Sequence, residues 1–227
     1  MVAARQWGVR NMKIGVIGAN GNLGNRVIKQ ALDLKIDIKA FVHNGVYSDD
    51  RVTSVEKNLF DMERKDVEEL DVLISTFGGG FNVNPVINRN AFMKYIELLE
   101  NSSTQLIVVG GAGSLYTDST HTTYEYETVN HPVKLKEISK NIRLGIDDLE
   151  KNQTFPWTVV CPSRSFDLNG IYSGNYIVGT DCEIIYNEDH RSYVTYEDLA
   201  KAMLDIAENN LYIHKMVTIA SRKGGIE

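Results

Sequence analysis

No apolar run in this chain approaches the length that a membrane-spanning helix needs, so no membrane partner is expected. The first eleven residues, MVAARQWGVRN, lack the apolar centre of a signal peptide and read as an N-terminal extension (1–11) before a start near Met12. Basic residues are not in excess. The 24 Lys and Arg stand against 30 Asp and Glu, a formal net charge of −6, which leaves no electrostatic footprint for nucleic acid. Proline is scarce and no segment is of low complexity, which argues against disorder. Cysteine is scarcer still. Cys161 and Cys182 form no ligand spacing and suit a reducing compartment, so a cytoplasmic location is expected. The histidines, at 43, 121, 131, 190 and 214, form no H-x-x-x-H pair, so no metal site is expected. A G-x-S-x-G nucleophile elbow and a G-K-[ST] phosphate loop are both missing. What remains is 227 residues of ordinary apolar content, enough for one large α/β domain over 12–227 with a sizeable core.

The richest local signal is KIGVIGANGNLG, residues 13–24. A short apolar run, Ile14 to Ile17, has the texture of a buried parallel strand. Gly18, Gly21 and Gly24 follow with G-x-x-G-x-x-G spacing, and Asn20 and Asn22 can shape the loop by local hydrogen bonds. A helical pattern then carries Leu23, Val27, Ala31 and Leu32 on one face. Strand, glycine turn and helix in that order suit a dinucleotide pyrophosphate. Glycines let the backbone approach the phosphates, and the helix start offers free N–H groups and the positive dipole end.

Further strands are expected at 37–42, 53–59, 71–77, 104–109, 157–161 and 215–220, and helices at 62–70, from Pro85, over 133–151 and over 196–209 with Thr195 as N-cap. Alternating strands and helices imply a doubly wound, Rossmann-like parallel sheet with helices on both faces. Between about 165 and 193 short β-like runs at 175–178 and 183–186 suggest a small hairpin lobe over the substrate. The second strand ends in His43-Asn44 rather than an acid, which leans toward NADP(H) over NAD(H); the alternative is a loop histidine in water. After the third strand come Phe60 and Asp61. Asp61 either accepts from an adenine amino group or caps the next helix. The fourth strand runs through Thr76 and Phe77 into Gly78, and the fifth into Gly110 and Gly111, where close backbone approach to a cofactor is expected. Residues 115–132 form a polar loop with Tyr116, Tyr124, Tyr126, His121 and His131 that could cover a substrate. Arg164 either pairs an anionic substrate group or makes a surface salt bridge.

GANGNLG at 18–24, VVGGAGSLY at 108–116, WTVVCPS at 157–163 and SYVTYEDLAKAML at 192–204 together resemble the atypical short-chain dehydrogenase/reductases, and within them the NADH-flavin reductase and NmrA-like NAD(P)-binding group. The resemblance covers nearly the whole chain from Met12. It implies a nicotinamide cofactor, a flavin (FMN or FAD) or quinone-like acceptor, and a nicotinamide near Cys161, Pro162 and Ser163. Ser114 sits where the wider superfamily places a catalytic serine. The superfamily's Tyr-x-x-x-Lys pair is absent, because no tyrosine here is followed four residues later by lysine. Three readings follow: a reductase whose acceptor takes its proton from water, an NADP(H)-binding sensor without turnover, and a nucleotide-sugar epimerase, which the missing tyrosine opposes. A monomer or homodimer is expected.

Overall fold

A computed structural model describes residues 12–80 and 82–225. The expected N-terminal extension, 1–11, lies outside the described residues. The elements run β1 (Lys13–Ile17), α1 (Asn22–Asp33), β2 (Asp37–Val42), β3 (Thr53–Glu56), α2 (Arg64–Val67), β4 (Val72–Ser75), α3 (Val86–Leu99) and β5 (Gln105–Val109). They continue with α4 (Val133–Glu150), β6 (Trp157–Pro162), β7 (Ser165–Asp167), β8 (Tyr176–Gly179), β9 (Tyr193–Thr195), α5 (Tyr196–Asn209) and β10 (Lys215–Ser221).

Eight strands form one sheet in the order β3-β2-β1-β4-β5-β6-β10-β8. Every neighbouring pair is parallel except β10 with β8. The fold is thus Rossmann-like α/β, as the alternating pattern implies. The strands are continuous apolar runs because both faces are covered: β4 (VLIS) and β6 (WTVVCP) are buried throughout. One face packs under α1 and α5, with Val27, Ile28, Ala31, Leu199, Met203 and Ile206 buried at the contact. The other packs under α2, α3 and α4, with Tyr95, Leu98, Leu99, Ile146 and Leu149 in the core. Truncating a fully buried side chain such as Leu99 to Ala would cost about 2–5 kcal/mol. Among the described residues no helix is long and apolar enough to cross a membrane.

The third and fourth strands are shorter than expected, and a 3-10 turn at Leu59–Asp61 replaces the end of the third. The expected hairpin at 175–186 does not form. The 176–179 strand is instead the antiparallel edge of the main sheet on β10, and the 183–186 stretch touches the chain at Tyr116 through a single bridge. β7 and β9 make a separate two-stranded parallel sheet beside it. Short alternating runs fit either partner, and the long-range pairing with β10 decides between them.

Candidate functional site

The chain winds β1, β2, β3 in one direction and then crosses to β4 on the other side of β1. The crevice above the carboxyl ends of β1 and β4 is therefore the topological switch point, where open α/β sheets bind ligands. α1 starts there. Gly21 precedes it in extended backbone, no side chain caps it, and its first turn holds no acid. The first intrahelical bond is Asn25 N to Gly21 O at 3.0 Å, so the amides of Asn22, Leu23 and Gly24 face the crevice end of the helix. Gly18 has φ +79°, and a Cβ on it would sit 2.7 Å from Thr76 Oγ1. A Cβ on Gly24 would collide with the Gly18 carbonyl, and one on Gly21 would lie 3.0 Å from it. The three glycines thus let α1 seat directly on the end of β1. A dinucleotide pyrophosphate fits this cradle, which offers bare backbone donors, a positive helix end and no side chain in the way.

Two cavities flank the cradle. The first, about 480 Å³, lies above β1, β2 and β3. Of the residues singled out from the sequence, Gly18, Asn20, Gly21, His43, Phe60, Thr76, Phe77 and Gly78 line it. Phe60 and Phe77 meet edge-to-face at 5.9 Å and form an apolar wall suited to a purine. Lys57 and Asn58, which the sequence did not point to, complete the rim. Asn58 Nδ2 donates to His43 Nδ1 at 3.0 Å, and Lys57 pairs with Asp66 at 2.7 Å. Asn44 and Asp61 are exposed and line neither of the cavities that flank the cradle, contrary to expectation. Nor does Asp61 cap the next helix: Glu63 precedes α2, and Asp66 accepts from its amide at 2.7 Å.

The second cavity, about 510 Å³, runs from the start of α1 past the ends of β4 and β5 to α4. Asn22, Leu23, Thr76, Phe77, Gly78 and Gly110 line it. A third, about 490 Å³, continues under the 125–132 segment and is lined by Gly111, Pro162, Ser163 and Arg164. Leu135, Ile138, Ile142 and Phe166 line both, so the two adjoin. The inward stripe of α4 is divided: Ile146 and Leu149 are fully buried, while Leu135, Ile138 and Ile142 are half-buried cavity wall. Phe166 stacks on Tyr196, centroids 3.7 Å apart and planes within 3°, giving the second cavity an aromatic face that local sequence could not show.

Three expectations are corrected. Ser114 is fully buried; its hydroxyl donates to Gly111 O at 2.7 Å and lies 3.7 Å from Cys161 Sγ, so it braces the loop and lines none of these cavities. Cys161 is equally buried, and burial pushes its thiol up to about 12. Its side chain packs in the core below Gly110. Gly24 packs α1 on the end of β1, with its amide at the crevice end of the helix. Tyr116, Tyr124 and Tyr126 stack on one another away from the cavities, with the Tyr116 and Tyr124 hydroxyls 2.9 Å apart. Burial and the Tyr116 hydroxyl hold the Tyr124 phenol above its ordinary range, a poor acid at neutral pH. The far end of the same loop does reach the third cavity. Glu125 and His131 line it. His131 Nε2 is 3.1 Å from Ser139 Oγ, and burial lowers its pKa despite the charge of Glu125. Arg164 donates to both oxygens of Glu125, at 2.9 and 2.6 Å.

A switch-point crevice with an uncapped helix over a glycine cradle defines a dinucleotide-binding protein of the Rossmann class. The chain matches the NAD(P)H-binding family over residues 18–210 and belongs to it, within the atypical short-chain dehydrogenase/reductases. It is 32% identical over 212 residues to YwnB of Bacillus subtilis strain 168, an uncharacterized protein, covering 92% of this chain and 99% of that one. Among solved structures it is similar to SP1627 of Streptococcus pneumoniae TIGR4, named a putative NADH-flavin reductase, with 29% identity, TM-score 0.86, and 93% and 100% of the two chains covered. It also shares its fold with ChuY of Escherichia coli O157:H7, named an anaerobillin reductase, at 15% identity, TM-score 0.70, and 95% and 100% coverage.

Proposed function

We infer that this protein is an NAD(P)H-dependent reductase that passes hydride to a flavin or quinone-like acceptor, with NADP(H) favoured over NAD(H). The observation that carries this reading is the adjoining pair of cavities at the far side of the glycine cradle, one continuous with the helix start and one reaching Arg164. A reduced nicotinamide bound in the cradle supplies a hydride, that is, two electrons and a proton. The residues of the chain position and shield. Phe166 with Tyr196, and Leu135, Ile138 and Ile142, give flat apolar surface against which two rings can be held face to face and water excluded. The second proton comes from water, consistent with loop tyrosines that line none of these cavities, an expected serine sealed in the core, and a Tyr95 that is fully buried with its hydroxyl bonded to Ser75, while Tyr196 is stacked on Phe166. A flavin or quinone accepts a proton at a ring nitrogen or oxygen without a positioned acid, whereas an unactivated carbonyl needs one. The name of SP1627 supports a flavin as acceptor. A cytoplasmic setting and a monomer or homodimer fit the same reading.

Steady-state oxidation of NADPH with FMN present tests it. Turnover dependent on FMN is expected, with NADPH preferred over NADH. Tight NADPH binding with no turnover toward flavins or quinones would instead favour a regulatory NADP(H)-binding protein.

A further inference from the structure

The third cavity is chemically two-ended. Its inner end, shared with the second cavity, is apolar: Leu135, Ile138, Ile142 and Phe166. Its outer end holds Arg164, with Glu125 behind it. The geometry points to an acceptor that is a flat ring bearing an anionic oxygen group, phosphate or carboxylate, with Arg164 receiving the anion. This rests on the reductase reading above.

Three observations support it. First, the guanidinium is presented and not spent. Its side chain is 38% exposed while that of Glu125 is 9% exposed, so the arginine faces the opening and the carboxylate lies beneath it. Second, a guanidinium has five N–H donors. Nε and Nη2 each give one to Glu125, and Nη1 gives one to the Tyr186 hydroxyl at 2.7 Å. Two N–H therefore remain for a ligand among these bonds. Third, the Glu125 bidentate pair and the Tyr186 hydroxyl hold the planar fork in one orientation, so little side-chain freedom is lost when an anion docks. A pair that merely tied the 125–127 turn to the end of β6 would have no need to open onto a cavity with an apolar far wall. Glu125 also tempers the site, because its charge opposes a second anion on the same guanidinium. Arg164 is therefore a specificity residue acting on the acceptor.

The test compares matched acceptors that differ only in the anion: FMN against riboflavin for phosphate, and carboxymethylflavin against lumiflavin for carboxylate. Binding is read by quenching of flavin fluorescence in the NADP+-loaded protein, turnover separately. Wild type is expected to bind FMN about tenfold or more tighter than riboflavin, an effect of the size charge-assisted bonds give. Arg164→Gln should bring that ratio to about one, and Arg164→Lys should keep part of it. NADP+ affinity, measured by calorimetry, should be unchanged in both and shows that they are folded. If Arg164→Gln does not fold, wild type alone decides: FMN binding should weaken with salt and riboflavin binding should not. The carboxylate pair shows whether the preference belongs to phosphate or to anions generally. Equal binding of the members of both pairs by wild type overturns the proposal even if both flavins are reduced, which leaves the reductase reading intact. An FMN preference without turnover keeps the proposal and overturns the reductase reading. No binding of any flavin overturns the proposal and the flavin form of the reductase reading.

Discussion

Two helices, α1 and α5, pack side by side on the same face of the sheet and begin in opposite ways. α5 is closed at its start. Thr195 Oγ1 accepts from Asp198 N at 3.0 Å, and Glu197 and Asp198 in the first turn answer the helix dipole. α1 has a glycine at the same position, no side-chain cap and no acid. A glycine at that position costs only a few tenths of a kcal/mol relative to a capping side chain, so the open start is cheap to keep. The open start lies at the switch point, where free amides and the positive helix end suit an anion. A second contrast lies within the crevice. The cradle at the start of α1 is made of backbone and glycine, whereas the cavities on either side of it are lined by side chains drawn from distant segments.

The largest effect should come from closing the open helix. Gly21→Val would put a branched side chain against the phosphates and lower NADPH affinity by more than about tenfold, roughly 1.4 kcal/mol. Calorimetry on a folded variant reads this, and unchanged affinity would mean that α1 is not the anion site. The matching change at the closed helix should do the reverse. Thr195→Ala should cost about 1 kcal/mol of stability in denaturant titration. It should leave NADPH affinity within about threefold. A larger loss of coenzyme binding there than at Gly21 would invert the comparison.

These predictions differ in how readable their sites were in the sequence. The cradle could be read because its chemistry is backbone chemistry written contiguously: strand, glycines, helix. The sheet, the covered faces and α5 with its cap followed from periodicity for the same reason. The third cavity could be read only in part: Pro162, Ser163 and Arg164 stood out in the sequence, and their partners did not. Arg164 and Glu125 are 39 positions apart, and Phe166 meets Tyr196 only through the tertiary fold. The three loop tyrosines looked like a substrate cover because tyrosines in a polar loop usually offer an amphipathic face. Here they satisfy one another, and the neighbouring Glu125 and His131 reach the cavity instead. Ser114 matched a superfamily position, yet its hydroxyl is taken by the Gly111 carbonyl.

Smaller effects sharpen the contrast further. His43 lines the first cavity beside Lys57. His43→Asp would put a negative charge there and should shift the NADPH/NADH ratio toward NADH by several-fold, read from the two affinities. An unchanged ratio would leave Lys57 as the better candidate reader. At the third cavity, burial holds His131 below its ordinary pKa of 6.5, with Lys136 adding to that shift and Glu125 opposing it. The unfolded chain therefore binds the proton more readily than the native one. Its contribution to stability is complete above the ordinary value and is lost as pH falls toward the lowered native value. Urea unfolding at about pH 7.5 and about pH 5.5 should show a smaller acid-induced loss for His131→Gln than for wild type. Equal losses would place the imidazole in a better-hydrated setting than the fold gives it.

The central claim is that a ring held at the cradle's far side meets an acceptor in the adjoining cavity. The most direct test is a single-turnover mixing experiment with NADPH-loaded protein in excess over FMN, following the flavin's visible absorbance without oxygen. One flavin should be bleached per NADPH consumed, faster than in the protein-free mixture. NADPH that stays bound and unoxidised while the flavin band persists would contradict the account.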